Sequence, residues 1–169
     1  MLLMAMVAAT MAAAPDNDAA LSPAAPGDIA SAVGDCWQAV RATDVDRVRL
    51  GEAGWSVVAG TQDSTQTPLE ALVKEGAPHR ILLTHAHDPQ PFCTVIARLA
   101  SRGDAGSALE AIQAKLKSLG TSAPASRSGD GIFFLSLPRF VQVDQTDAAG
   151  GTEQQPSLRI IVGYEMAEK

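Results

Sequence analysis

The sequence predicts an α+β domain with a curved antiparallel sheet of about six strands, three helices packed mainly on one face, and one disulfide bond. Segments of helical and strand periodicity follow each other in the order helix, strand, helix, hairpin, helix, meander, whereas a parallel α/β sheet would alternate them one by one. The chain also contains two cysteines, Cys36 and Cys93. Its 169 residues are enough for one hydrophobic core.

The first helix is predicted to begin at Asp28, a residue type that accepts backbone hydrogen bonds as an N-cap. The apolar residues that follow recur every three to four positions and form one stripe, comprising Ile29, Val33, Cys36, Trp37 and Val40. This stripe would turn Cys36 and Trp37 toward the core. A short helical turn is predicted over residues 43–51.

A strand and a second helix are predicted next. Residues 54–60 are β-prone and bounded by glycines, which indicates a strand. In the following segment Thr67 supplies a capping hydroxyl, Pro68 suits the first helical position, and Glu70 is placed to bond back to the cap. These features predict a short helix over residues 67–75 that ends before Gly76.

A β-hairpin is predicted from two apolar runs, residues 80–86 and 92–100. The prolines of residues 87–91 cannot donate ladder hydrogen bonds, so they favour a turn. One face of the second strand would carry Cys93, Val95, Ala97 and Leu99. Packing of this face against the first helix would bring Cys93 within disulfide reach of Cys36.

The last part of the chain predicts one long helix and an antiparallel meander. Residues 104–119 place Leu109, Ile112, Leu116 and Leu119 on one stripe, with Gly120 just beyond the end. The remaining segments are a polar connector (121–130), three strands (131–137, 139–144 and 157–166) and a mobile loop (145–156) between the last two strands.

Pairing of Cys36 with Cys93 is predicted from the even cysteine count in a chain that is predicted to be exported. The bridge would close a loop of about 58 residues and stabilise the fold by roughly 4 kcal/mol through the unfolded state. The alternative is two separate buried thiols that act as small apolar side chains. Trp37 and Trp55 are predicted to be core anchors.

The N-terminus predicts a signal peptide over residues 1–14, a flexible linker over 15–27 and a single domain over 28–169. The apolar stretch is too short to cross a bilayer, which takes roughly 20 residues, and it ends in small residues. This predicts a periplasmic or secreted protein without stable membrane insertion after signal removal. Because no Lys or Arg precedes Leu2, a disordered Ala-rich terminus of a cytosolic protein is the alternative.

The charge balance argues against nucleic acid as a partner. Thirteen Lys and Arg against nineteen Asp and Glu give a net charge of −6, which repels phosphate backbones. The apolar fraction of 46% is too high for intrinsic disorder.

The sharpest chemical motif is the alternation of His85 and His87, because alternate residues of a strand face the same way and two imidazoles can chelate a metal. Asp88 or His79 would supply a third ligand, and these donor types suit zinc or copper. The alternative is that these are exposed polar residues at the end of a hairpin.

Evidence for catalysis is sparse. There is no Gly-x-Ser-x-Gly elbow, and Ser56 lies inside a predicted strand. A disulfide would consume both thiols as nucleophiles. The sequence therefore favours an exported, non-catalytic protein that binds a protein partner or small ligand through its sheet or the 145–156 loop. A metal-binding protein and a small hydrolase are the alternatives.

Overall fold

The computed structural model describes residues 21–58, 70–83, 90–121, 125–128, 131–136, 138–147 and 156–164. Three helices and eight strands lie within these ranges. The helices are α1 (Pro26–Ala39), α2 (Arg47–Glu52) and α3 (Asp104–Ser118). The strands are β1 (Trp55–Val57), β2 (Glu70–Lys74), β3 (His79–Leu83), β4 (Phe92–Arg98), β5 (Ala125–Ser128), β6 (Gly131–Ser136), β7 (Arg139–Asp147) and β8 (Pro156–Tyr164).

The strands form one open sheet in the order β1-β2-β3-β4-β8-β7-β6-β5, and every pairing is antiparallel. The predicted β3–β4 hairpin and β6–β7–β8 meander are confirmed, and they join where β4 pairs with β8. The chain is therefore an α+β protein with an antiparallel sheet, as predicted. The described sheet has two strands more than the six expected, namely β2 and β5.

The predicted helix over residues 67–75 is wrong, because its described part is the strand β2. Leu72 is buried and pairs with Ile81, while the next residue, Val73, is 40% exposed, which is the alternation of a strand. Hydrogen-bonded partners on both sides outweigh the local helical signal. Gly76 does end the element, with a positive φ of 73° that suits the β2–β3 turn.

Two further predicted boundaries are corrected by strand pairing. The connector predicted over 121–130 contains β5, a polar strand at the sheet edge that pairs only with β6. The loop predicted over 145–156 is shorter, because Gln145 pairs with Leu158 and Asp147 with Pro156. Residues 148–155 of that loop lie outside the described ranges.

The first two helices begin differently from the prediction, whereas α3 is confirmed. Pro26 occupies the start of α1 and Ala25 is its N-cap, so Asp28 is not the cap but an acidic residue of the first turn. The predicted helical turn contains α2, whose N-cap is Asp46. The Asp46 carboxylate accepts a hydrogen bond from the Arg49 backbone N–H at 3.0 Å. That bond and the Arg41 side chain lower the pKa of Asp46.

One face of the sheet carries the core. Buried residues line up across adjacent strands in a single register, as in the row Ile81, Val95, Ile160 and Val143. Helices α1 and α3 bury their apolar residues in the same cluster. Trp37 and Trp55 are both buried within it, as predicted.

The segment before α1 is attached to the end of β4. The Ala24 N–H donates to the Arg98 carbonyl at 2.8 Å, and the Arg98 guanidinium donates to the Leu21 carbonyl at 2.9 Å. The predicted signal peptide and the first residues of the predicted linker lie outside the described part of the chain. None of the helices in that part is both long and apolar enough to span a bilayer.

The predicted disulfide is confirmed. Cys36 of α1 and Cys93 of β4 are bonded, their Cα atoms are 5.6 Å apart, and both side chains are fully buried. Cys93, Val95, Ala97 and Leu99 are all buried, as the hairpin pattern predicts. The bridge fixes the middle of α1 to the strand that lies next to the sheet centre.

We expect loss of this bridge to lower the free energy of unfolding by about 4 kcal/mol, because the 57-residue separation allows the unfolded chain much more freedom when the link is absent. Urea denaturation of the oxidised and reduced protein measures the difference. The double variant Cys36→Ala/Cys93→Ala should have the same free energy of unfolding as the reduced protein, apart from the effect of losing two buried sulfur atoms. A change below about 1 kcal/mol would contradict the prediction.

A cavity between the first helix and the β2–β3 hairpin

A cavity of about 210 Å³ lies between α1 and the end of the sheet formed by β1, β2 and β3. Its buried walls are Ala32, Trp55 and His79, and exposed residues, Asp28, Ser31 and Glu75, surround its mouth. Asp35, Lys74 and the turn residues Gly76, Ala77 and Pro78 complete the lining. The arrangement places apolar and charged groups around one space.

Secondary structure explains why these residues meet. Asp28, Ser31, Ala32 and Asp35 recur every three to four residues and so share one face of α1. Trp55 of β1 pairs with Lys74 of β2, so both side chains project to the same face. The turn after Lys74 is closed by a hydrogen bond from the Ala77 N–H to the Lys74 carbonyl at 3.0 Å, and it leads directly into His79.

Asp35 is the polar centre of the cavity. Its Oδ2 accepts a hydrogen bond from the Trp55 indole Nε1–H at 3.0 Å, and the Lys74 ammonium lies 3.9 Å from the same oxygen. The Lys74 Nζ also lies 5.9 Å from the centroid of the Trp55 ring. A carboxylate, an ammonium and an indole are therefore grouped on one side of the cavity.

His79 lies in the wall next to Trp55, with the ring centroids 5.5 Å apart. The residue is 5% exposed, and its Nδ1 makes no hydrogen bond with any residue that the structure describes. A buried polar atom without a partner costs about 1–3 kcal/mol. The residue lines the cavity, while this nitrogen atom itself has no accessible surface.

Burial lowers the pKa of His79, and Lys74 lowers it further, while Asp28 and Asp35 act in the opposite direction. Desolvation is the largest of these effects. The imidazole is therefore neutral at pH 7, and three carboxylates, those of Asp28, Asp35 and Glu75, face a single ammonium. The cavity as a whole carries negative charge.

The predicted metal site is only partly covered by the structure. His79 begins β3, as expected from the sequence, and its ring is buried on the helix-facing side. His85, His87 and Asp88 lie outside the described residues, so zinc or copper binding by these residues stays a prediction. Among the residues that are described, no group of three His, Cys, Asp or Glu side chains is arranged to hold a metal ion.

Sequence reasoning did not identify Asp35, Trp55 and Lys74 as a group. The sequence pattern gives Asp35 no role, and it predicts Trp55 to be a core anchor. The spacing of Asp28 and Asp35 on one helix face was a usable signal. Lys74 could not be placed, because its segment was predicted to be a helix.

No family model, no curated protein and no solved structure matches this chain. The assignment of a function therefore depends on the chemistry of the cavity.

Titration of His79 should make stability depend on pH. The pKa of His79 is lowered in the folded state, so as pH falls below about 6.5 the unfolded chain takes up the proton first. The free energy of unfolding should therefore decrease as pH falls from about 6.5 toward the folded pKa, by roughly 1.4 kcal/mol for each unit between the two values.

Urea denaturation at several pH values in this window measures the effect. His79→Gln and His79→Phe should both remove this component of the pH dependence, since neither side chain titrates. His79→Phe should also be the more stable of the two, because it leaves no buried polar atom unpaired. If the free energy of unfolding depends on pH equally in the wild type and both variants, His79 is not the source of the pH dependence.

Proposed function

We propose that this chain is an exported, non-catalytic protein that binds a small ligand in the cavity between α1 and the β2–β3 turn. The observation that carries the proposal is a cavity in whose lining the Asp35 carboxylate, the Trp55 indole and the His79 imidazole come together.

The size of the cavity restricts the ligand. Its volume of about 210 Å³ corresponds to roughly seven water molecules at ~30 Å³ each. Drug-sized molecules occupy pockets of about 300–1,000 Å³. A compact molecule fits this space, with an apolar part against Trp55 and Ala32 and a polar part toward Asp35 and His79.

The disulfide supports export. Bonds such as Cys36–Cys93 persist in the periplasm and outside the cell, whereas cytosolic thiols are kept reduced. This agrees with the signal peptide predicted for residues 1–14 and with a periplasmic or secreted location.

The geometry favours binding over hydrolysis. A Ser-His-Asp triad needs a carboxylate to orient one imidazole nitrogen while the other activates the hydroxyl. Ser31, His79 and Asp35 all line the cavity. However, the described contacts of the Asp35 carboxylate are to Trp55 and Lys74, and the His79 Nδ1 has no described carboxylate partner. The absence of these triad contacts among the described residues supports binding over hydrolysis.

The two indole N–H signals in a ¹H–¹⁵N NMR spectrum provide a direct test, since the chain has two tryptophans and only Trp55 lines the cavity. We propose titration with three probes of similar size and different charge: n-butylammonium, 1-butanol and butyrate. At least one probe should shift the Trp55 indole signal in a saturable way and leave the Trp37 signal unchanged.

A cavity-filling variant is the control. Ala32 is buried in the wall, so Ala32→Leu should occupy the space and abolish the Trp55 shift while leaving the fold intact. The proposal fails if all three probes bind more weakly than about 10 mM, which corresponds to less than about 3 kcal/mol. It also fails if a probe shifts both indole signals equally.

A further inference from the structure

We infer that the cavity selects small organic cations that carry a primary ammonium group. This inference rests on the proposed function and names the chemical class of its ligand. It is argued from the charges around the cavity, from the indole in its wall and from the position that the chain's own ammonium group occupies.

The charges around the cavity favour a cation. Among the residues that the structure describes, three carboxylates line it, those of Asp28, Asp35 and Glu75, and Lys74 is the one cationic side chain in the lining. An ammonium ligand would meet a net attraction there, whereas a carboxylate ligand would be repelled. The net charge of −6 on the whole chain acts in the same direction.

Trp55 adds a second element of cation recognition. An indole face is the best aromatic partner for an ammonium ion, and the attraction acts within about 6 Å of the ring centroid. The Trp55 ring is held in place by its Nε1–H hydrogen bond to Asp35 and by its packing beside His79. A carboxylate and an oriented indole therefore lie on the same side of the cavity.

The position of the Lys74 ammonium shows where a cation lies relative to Asp35 and Trp55. Its Nζ lies 3.9 Å from the Asp35 Oδ2 and 5.9 Å from the Trp55 centroid. Both distances are at the outer limit of their interaction types, since a charge-assisted N–H···O bond is about 2.7–2.9 Å long. Lys74 thus occupies the site loosely, and a ligand ammonium that forms close hydrogen bonds would displace it.

His79 suits the same ligand. Because the imidazole is neutral at pH 7, it adds no repulsive charge. A primary ammonium carries three N–H donors, and the Asp35 carboxylate oxygens are acceptors in the lining. A quaternary ammonium has no donor for these acceptors, so the primary amine is the better match.

Affinities of n-butylammonium, 1-butanol, butyrate and tetramethylammonium, measured from the Trp55 indole shift, test the inference. We expect n-butylammonium to bind at least about tenfold more tightly than 1-butanol, since one close charge pair near a protein surface contributes a few kcal/mol before desolvation. We expect butyrate not to bind, and tetramethylammonium to bind more weakly than n-butylammonium.

Two variants separate the roles of the charges. Asp35→Asn keeps an acceptor for the Trp55 N–H but removes the charge. It should therefore weaken the binding of n-butylammonium by about tenfold or more. Lys74→Met removes the chain's own ammonium group, which competes with the ligand, and should tighten the binding of n-butylammonium by about tenfold. Lys74→Gln, which keeps a polar side chain, should act in the same direction and serves if the methionine variant folds poorly.

Charge-matched controls are available outside the cavity. Glu52→Gln on α2 and Lys117→Met on α3 change the net charge by the same amounts at exposed positions and should leave affinity within about twofold.

The outcomes distinguish this inference from the proposed function. If 1-butanol or butyrate binds as tightly as n-butylammonium, the ammonium class is wrong and small-ligand binding stands. If tetramethylammonium binds most tightly, a cation site stands but its preference for primary amines is wrong. If both Lys74 variants weaken n-butylammonium, the lysine is part of the site and the competitor argument fails. If no probe binds, both proposals fail.

Discussion

The covalent link between α1 and the sheet organises the candidate site. Cys36 lies in α1 and Cys93 in β4, one of the two central strands of the sheet, so the bridge fixes both the position and the rotation of the helix over the sheet. With the Cys36 side of the helix buried, the face that carries Asp28 and Asp35 lies beside the β1–β3 end of the sheet. The cavity lies between this helix face and the β1–β3 end of the sheet.

Two polar groups of the cavity differ in their partners: the Asp35 carboxylate has described contacts, and the His79 Nδ1 has none. The Asp35 carboxylate accepts a hydrogen bond from the Trp55 indole and lies near the Lys74 ammonium. His79 is nearby but has no comparable partner for its Nδ1 among the described residues, and burial keeps the ring neutral. A fold selected only for stability would place an apolar side chain at that position. The imidazole therefore costs stability at this position, and no contact among the described residues offsets that cost.

Prediction from the sequence succeeded where a single pattern dominated. The β3–β4 hairpin, the meander, α3 and the Cys36–Cys93 bridge all follow from periodicity, prolines and cysteine count. It failed for β2, whose capping-box signal predicted a helix, and for β5, whose polar residues indicated a connector. In both cases the strand is defined by its neighbours, because ladder hydrogen bonds compete with local preferences that differ by less than about 1 kcal/mol per residue. Because β2 was predicted to be a helix, the sequence did not place Lys74 opposite Trp55, where strand pairing puts it.

The sequence by itself determined the fold class, the core residues and the disulfide, because apolar periodicity and cysteine number do not depend on distant partners. Only the tertiary structure decided the order of the eight strands and the meeting of Asp35, Trp55, Lys74 and His79. Those residues come from α1, β1, β2 and β3, and strand pairing across the sheet sets their neighbours. Their proximity is a property of register and helix placement, which local sequence spacing does not encode.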